Sequence, residues 1–161
     1  MGQQQLLLVI LVTIIVGIAT VVAINTFGAA ADQANIDAVN NDIAALASAA
    51  QGYYMRPGML GGGGRTFDDL SFEGLAFPST GISANGLIAQ NENGRYVMTD
   101  VGGQSFTITA HPASCDGYVP GIIDDDSGAL TGGSDCDGAD QITAGVGANQ
   151  FELGGNAASV L

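Results

Sequence analysis

The side chains best suited to covalent or metal chemistry lie in the C-terminal third of the sequence. Cys115 and Cys136 are its only cysteines, and His111 is its only histidine. Two cysteines so far apart, with a single histidine, do not match the ligand spacing of a zinc site. In an extracellular chain, a lone pair of cysteines instead predicts a disulfide, which would here close a loop with twenty residues between the two cysteines.

Aspartates are crowded into the same region, with six of them in the seventeen residues from 124 to 140. Carboxylate oxygens on a chain that glycines allow to turn sharply are the ligands that calcium prefers. The spacing does not match an EF-hand loop, which also needs a bidentate glutamate. Two interpretations stay open, a solvent-exposed acidic loop and a calcium site. The aspartates are Asp124, Asp125, Asp126, Asp135, Asp137 and Asp140, and all but Asp125 are candidate calcium ligands.

No arrangement of residues in the sequence is typical of an enzyme. A nucleophile would need an activating base, and His111 precedes Pro112 at a predicted strand end, where a surface residue is the more common interpretation. Haem and iron–sulfur ligand patterns are missing, and the glycine run 61–64 lacks the Lys-Ser/Thr of a phosphate loop. We therefore expect no catalysis, and no cofactor other than the calcium considered above.

The elements that must position these side chains begin with a long apolar segment. Residues 1–31 carry no charged side chain, and Leu6–Ile24 is apolar apart from Thr13, Gly17 and Thr20. Its nineteen residues would span roughly 28 Å as a helix, close to the ~30 Å hydrocarbon core of a bilayer. Such a segment must lie in lipid, be cleaved off, or be buried against copies of itself.

The residues that flank the apolar segment help to distinguish a cleaved signal peptide, a membrane anchor and a helix buried against copies of itself. A secretory signal peptide has a basic start and a shorter apolar run, whereas this chain begins MGQQQ. A single-pass anchor is usually oriented by flanking Lys or Arg, yet the only basic residues are Arg56, Arg65 and Arg95. This absence favours an N-terminus processed by removal of a leader in front of Met1.

The helical pattern continues beyond the apolar segment. A 3-4-3-4-3 spacing of apolar residues predicts an amphipathic helix, and no proline interrupts residues 2–54. We therefore predict one helix from Gly2 to Tyr54. Pro57 and the glycines 61–64 would end it, since neither residue type continues a helix. The four glycines predict a flexible or tightly turned connector, which we interpret as a hinge. The apolar stripe is Ile36, Val39, Ile43, Leu46, Ala50 and Tyr53, and the residues assigned to the solvated faces are Asp32, Asp37, Asn40, Asn41 and Asp42.

A small β-rich head is expected after the connector. Arg95–Thr99 and Gln104–Ala110 favour strands, and residues 100–103 between them predict a hairpin. The segment Phe67–Phe77 supplies apolar side chains that would pack the sheet onto the helix stripe. The fold class is therefore α+β, a long N-terminal helix with a small C-terminal antiparallel sheet. Its predicted parts are 1–27, 28–55, 56–66 and 67–161.

This order of elements resembles a type IV pilin. The motif content lies in GQQQLLLVILVTIIVGIATVVAINTF and in the helix-to-head junction QGYYMRPGMLGGGG. The resemblance implies cleavage by a prepilin peptidase with methylation of Met1, inner-membrane anchoring before assembly, and packing of the apolar helices into an extracellular filament by the inner-membrane pilus assembly machinery. The residues expected to make assembly contacts are Met1, Gln5, Leu6, Leu7, Val9, Ile10, Val12, Ile14, Ile15, Ile18, Val21 and Val22.

Two positions depart from the pattern of the family. Most bacterial members have a glutamate where this chain has Gln5, which can form hydrogen bonds but cannot neutralise the α-amino group of a neighbour. The common proline is replaced by Val22, which favours an unbroken helix as in archaeal filaments. A C-terminal disulfide is frequent in pilins, so the resemblance agrees with the cysteine pair.

The charge balance restricts the partners. Sixteen acidic residues against three basic ones give a formal charge of −13, which argues against nucleic-acid binding and suggests a saline environment. We expect the main partner to be the chain itself, in a helical homopolymer at the cell surface. Three alternatives remain: a pseudopilin of a type II-like secretion system, a minor adhesive pilin, and a single-pass anchor with a small periplasmic domain.

Overall fold

The computed structural model describes residues 2–123, 130–131, 135–136, 138, 140–155 and 157–160. These residues form two compact units that divide between Ala34 and Asn35. The first unit is entirely helical. The second contains the rest of the same helix and all of the β-structure, and we call it the head.

One helix accounts for the first third of the chain. α1 runs from Gly2 to Met55 without interruption at Gly17, Val22 or Gly28. The predicted single helix is therefore confirmed, and it ends one residue later than expected. Its continuity follows from the absence of proline and the abundance of alanine, since isolated glycines cost a helix only about 1 kcal/mol each.

The head is built on a six-stranded antiparallel sheet, which confirms the α+β class. The order of the strands across it is β1-β2-β3-β4-β7-β8, and β5 pairs with β6 in a separate two-stranded sheet. The strands are β1 (Gly81–Ile82), β2 (Ile88–Gln90), β3 (Gly94–Gly102), β4 (Ser105–Pro112), β5 (Ile122–Ile123), β6 (Leu130–Thr131), β7 (Ile142–Gly147) and β8 (Phe151–Leu153). Short 3₁₀ helices lie at Gly58–Leu60 and Ala157–Val160.

The predicted hairpin is present, with longer strands and a tighter turn than expected. β3 and β4 pair from Gly94↔Pro112 to Gly102↔Ser105, so the turn itself is Gly103 and Gln104. Asp100, which we had placed in the turn, lies within β3 at a φ of 53°, where the register shifts. A bulge of this kind adds twist to the strand pair, and here it re-aims the end of the hairpin.

The core lies between the second half of α1 and one face of the sheet, as the apolar stripe predicted. Val39, Ile43, Leu46 and Ala50 are buried, and Tyr53 packs against the same cluster. The segment 67–77 supplies Phe67, Leu70, Phe72 and Phe77, all buried. Ring contacts join it to the sheet, with centroid distances of 5.1 Å for both Phe67–Phe106 and Phe77–Tyr96.

The glycine connector is a tight turn, so its interpretation as a hinge is wrong. Gly63 and Arg65 donate backbone hydrogen bonds to the carbonyls of Tyr53 and Tyr54 in the last turn of α1, and Gly64 donates to the carbonyl of Arg56, which directly follows the helix. These bonds satisfy helix-end carbonyls that would otherwise lack a partner. Glycine is required because a Cβ at Gly62 or Gly63 would collide with the backbone of Arg56 or Thr66.

Asp42 does not belong to a solvated face, contrary to our assignment. It is half-buried, and its Oδ2 accepts hydrogen bonds from Tyr96 Oη at 2.7 Å and from Asn91 Nδ2 and Asn93 Nδ2 at 2.9 Å. Burial acts to raise the pKa of this carboxyl, but the three donors outweigh it, and the pKa lies below its usual value. Asn40 is half-buried as well. One carboxylate thus joins α1 to the β2–β3 hairpin.

Replacing Asp42 with alanine should lower the free energy of unfolding of the head by about 2–4 kcal/mol, because it leaves the buried Tyr96 hydroxyl without its acceptor. Chemical denaturation of the full chain in non-ionic detergent measures the change. Asn41→Ala, on the exposed face of the same turn, is the matched control and should change stability by under about 0.5 kcal/mol. Since the pKa is depressed, the contribution of Asp42 is complete above the ordinary carboxyl pKa and disappears as the pH falls through the folded value. Equal losses in both variants would contradict this role.

Candidate assembly segment and the polar cluster of the head

The first unit of α1 exposes an apolar surface that no described residue covers. The candidate assembly residues from Leu6 to Val22 have 47–68% of their surface accessible, and Gln5 is exposed too. An 18-residue window of this helix has a mean hydropathy of 3.2 and none of it is buried, so its length and composition suffice to cross a membrane. Met1 lies outside the described residues. The other predicted assembly positions, from Gln5 to Val22, therefore all lie on an exposed helix that no described residue covers.

The threonine hydroxyls of this segment are satisfied within the helix. The hydroxyls of Thr13, Thr20 and Thr26 donate to the carbonyls of Ile10, Val16 and Val22 at 2.8–2.9 Å. A hydroxyl bonded in this way presents only its methyl group to the surroundings. The threonines that interrupt the apolar run therefore do not oppose its burial in lipid or in protein.

The cysteine pair forms the predicted disulfide. Cys115 and Cys136 are bonded to each other, with their Cα atoms 5.9 Å apart. Cys136 is buried, and the carbonyl of Pro112, at the end of β4, lies 3.6 Å from its Sγ. The bond and this contact place both cysteines at the end of β4.

A buried arginine holds both arms of the disulfide loop, and sequence analysis did not single it out. Arg95 lies on β3 directly opposite His111 on β4 and is only 2% exposed. Its guanidinium forms an ion pair with Asp135, donates to the carbonyl of Val119 at 3.3 Å, and lies 5.5 Å from the ring centroid of Tyr118. The two arms of the loop are therefore tied to the sheet by one side chain as well as by the disulfide.

His111 is buried, contrary to the expectation of a surface residue. It shares the carboxylate of Asp135 with Arg95, since its Nε2 lies 3.8 Å from Asp135 Oδ1. Burial and the neighbouring Arg95 lower the pKa of His111, whereas Asp135 acts to raise it, and the net direction is downward. Gln90 Oε1, Arg95 Nε and His111 Nδ1 are buried and have no hydrogen-bond partner among the described residues. The cluster is built to hold a neutral imidazole beside a fixed cation.

The structure addresses only part of the calcium hypothesis. Asp135 is engaged with Arg95, and Asp140 is exposed. The other candidate ligands, Asp124, Asp126 and Asp137, lie outside the described residues, as does Asp125. Within the part of the chain that the structure describes, no three His, Cys, Asp or Glu side chains are placed to hold a metal ion together. A calcium site in this loop stays a prediction.

Comparison with known proteins finds no matching family model, no matching curated protein and no matching solved structure. The functional proposals below therefore rest on the chain's own residues and on the resemblance described in the sequence analysis.

Acid should destabilise the head through His111. Because its pKa is lowered by folding, the unfolded chain takes up a proton near pH 6.5 while the folded chain does not, and stability falls as the pH drops further. His111→Gln should abolish this fall between pH 7 and 5, where no other histidine titrates. Denaturant unfolding of the full chain in detergent at each pH measures it, and parallel curves for the two proteins would contradict it.

Removing the disulfide should weaken the same region. The variant Cys115→Ser/Cys136→Ser should lose about 3 kcal/mol of unfolding free energy in the loop-entropy model. Limited proteolysis should cut the loop faster in this variant, while the β3–β4 hairpin stays protected. Cleavage that is no faster than in the parent chain would show that Arg95 alone is sufficient to hold the loop.

Proposed function

We propose that this chain is the repeating structural subunit of an extracellular, type IV pilus-like helical filament, without catalytic activity. The observation that carries the proposal is the apolar first unit of α1, which has no charged side chain from residue 2 to residue 31 and is covered by no described residue. A surface of this kind needs a non-aqueous environment, and copies of the same helix provide one. The heads would then cover a core of packed helices.

Assembly would move this helix from one apolar environment to another. Before assembly the segment would lie in the inner membrane, where its length matches the hydrocarbon core. Extraction by a pilus assembly machinery, after processing by a prepilin peptidase, would replace lipid with neighbouring helices. Contacts that use different faces of each subunit do not close into a ring, and so they generate an open helical polymer.

The disulfide supports a location outside the cytoplasm. Such bonds persist in the periplasm and at the cell surface but are rare where thiols are kept reduced. The acidic head, with a formal charge of −13 for the whole chain, is suited to a saline exterior and not to a nucleic-acid partner. These features favour a cell-surface filament, with the chain itself as main partner.

A single-pass membrane anchor is the second candidate, and the same apolar helix favours it. The two functions predict different charges beside the apolar segment. In this chain the first basic residue after that segment is Arg56, which directly follows the amphipathic half of α1. An anchor oriented by charge would carry basic residues closer to the membrane. A pseudopilin or a minor adhesive pilin would share the helix and would differ in abundance and filament length.

Replacing Val12 with aspartate should abolish filaments, because a buried unpaired carboxylate costs several kcal/mol per subunit and is repeated in every copy. Electron microscopy of the cell surface and mass spectrometry of sheared filaments provide the measurement. Ala84→Asp adds the same charge on the exposed surface of the head and should leave assembly intact. Normal filaments from the Val12→Asp strain, or a wild-type chain found only in the membrane fraction, would overturn the proposal.

A further inference from the structure

We propose that the end of the head formed by the connector binds the acidic surface of a second copy of this chain. The surface, which we call the connector patch, consists of Met55, Arg56, Met59, Leu60 and Arg65. The inference deepens the proposed function and rests on it, because it assigns the contact through which neighbouring heads would recognise each other.

The apolar side chains of the connector patch are exposed and do not contribute to the buried core of the head. Met59 is 98% accessible, and Met55 and Leu60 are about 70% accessible. All three lie at or just after the end of α1, and Met59 and Leu60 belong to the 3₁₀ turn Gly58–Leu60. Three large apolar side chains exposed to water within six residues of sequence are typical of an interaction site.

The charge of the connector patch is opposite to that of the molecule. Arg56 and Arg65 are two of three basic residues in a chain of net charge −13, and both are exposed. The third, Arg95, is buried and paired with Asp135. No carboxylate occurs from residue 43 to residue 67, and neither exposed arginine pairs with a described acidic side chain. The accessible positive charge of the described head is therefore confined to this patch.

The patch is held in shape before any partner binds. Backbone bonds of 2.9–3.3 Å tie Gly61–Arg65 to Tyr53, Tyr54, Arg56, Pro57 and Gly58. Arg65 adopts a φ of 76°, a left-handed conformation that strains a residue with a side chain. Glycine would fit there at lower cost, and four glycines come directly before it. The strain is therefore consistent with a requirement for the guanidinium itself.

A groove beside Arg65 gives a partner somewhere to enter. It has a volume of about 670 Å³ and is lined by Tyr54, Met55, Arg65, Gln104, Ala148 and Asn149. None of these side chains is acidic, and the arginine supplies a planar fork of donors suited to a carboxylate. The groove therefore fits an aspartate or glutamate with an apolar neighbour.

Charge complementarity selects a second copy of this chain as the occupant. Sixteen carboxylates per chain make the head of a neighbour the most abundant acidic surface in a filament of identical subunits. Two connector patches would repel each other, so the patch of one copy must lie on a different face of the next. In a filament this contact is heterologous, because a contact between different faces extends an open polymer when it does not close into a ring.

The test measures self-association of the full chain in non-ionic detergent, where each apolar helix is covered by its own micelle. Sedimentation velocity compares the parent chain with Arg56→Gln/Arg65→Gln and with Met59→Ser. We expect association about 5- to 10-fold weaker in the arginine pair, as two interfacial charge contacts imply. The matched control, Ala84→Glu/Ala113→Glu, lowers the net charge by the same two units at exposed positions away from the patch and should weaken association far less.

Photo-crosslinking from a reactive amino acid at position 59 identifies the face of the neighbour. Adducts on an acidic segment of a second copy support the proposal, whereas adducts between two position-59 residues indicate an isologous contact and overturn it. Equal weakening by the arginine pair and by its control also overturns it. Filament formation is scored separately. If the arginine variant assembles normal filaments, the proposed role of the connector patch is refuted but the proposed function is not. If self-association depends on the patch but no filaments form, only the proposed function is refuted.

Discussion

Fifteen large apolar side chains between Leu6 and Phe27 are exposed, and no residue that the structure describes covers them. Removing each from water is worth roughly 1.5–3 kcal/mol, so the total is tens of kcal/mol. The folding free energy of a small head is about 5–15 kcal/mol. No interaction within the head can compete with this term. The environment of the first unit of α1 therefore decides where the chain can exist.

Lipid and a bundle of like helices are nearly equivalent as destinations for this segment. Hydrocarbon tails are as apolar as leucine, so exchanging one for the other has little hydrophobic driving force, and packing decides the balance. Release into water is far more costly than either state. The internal bonding of the Thr13, Thr20 and Thr26 hydroxyls keeps that equivalence, because these three hydroxyls need no partner outside the helix. A helix of this kind would leave a membrane only if neighbouring helices replaced the lipid.

Local patterns were enough to predict α1, the apolar segment 67–77 and the β3–β4 hairpin, because each depends on residues close in sequence. The errors occurred where distant segments meet. Asp42 is bound by residues about fifty positions further along the chain, and the buried His111 lies opposite Arg95 and beside Asp135, which is twenty-four positions away in sequence. The glycine connector was misjudged because composition alone cannot separate a flexible run from one whose N–H groups cap a helix.

The apolar surface of the first unit of α1 favours burial, but it does not define the axial position of one helix relative to its neighbours. One aliphatic side chain contacts another almost equally well a turn up or down, since dispersion and hydrophobic forces have little directionality. Charged contacts are directional, and they are penalised when partners are misaligned. In a head whose surface is otherwise acidic, two exposed arginines on a preformed turn provide such a contact. The two contacts would therefore have different roles. The helix would supply most of the binding free energy of the polymer, and the connector patch would set the axial register between neighbouring subunits.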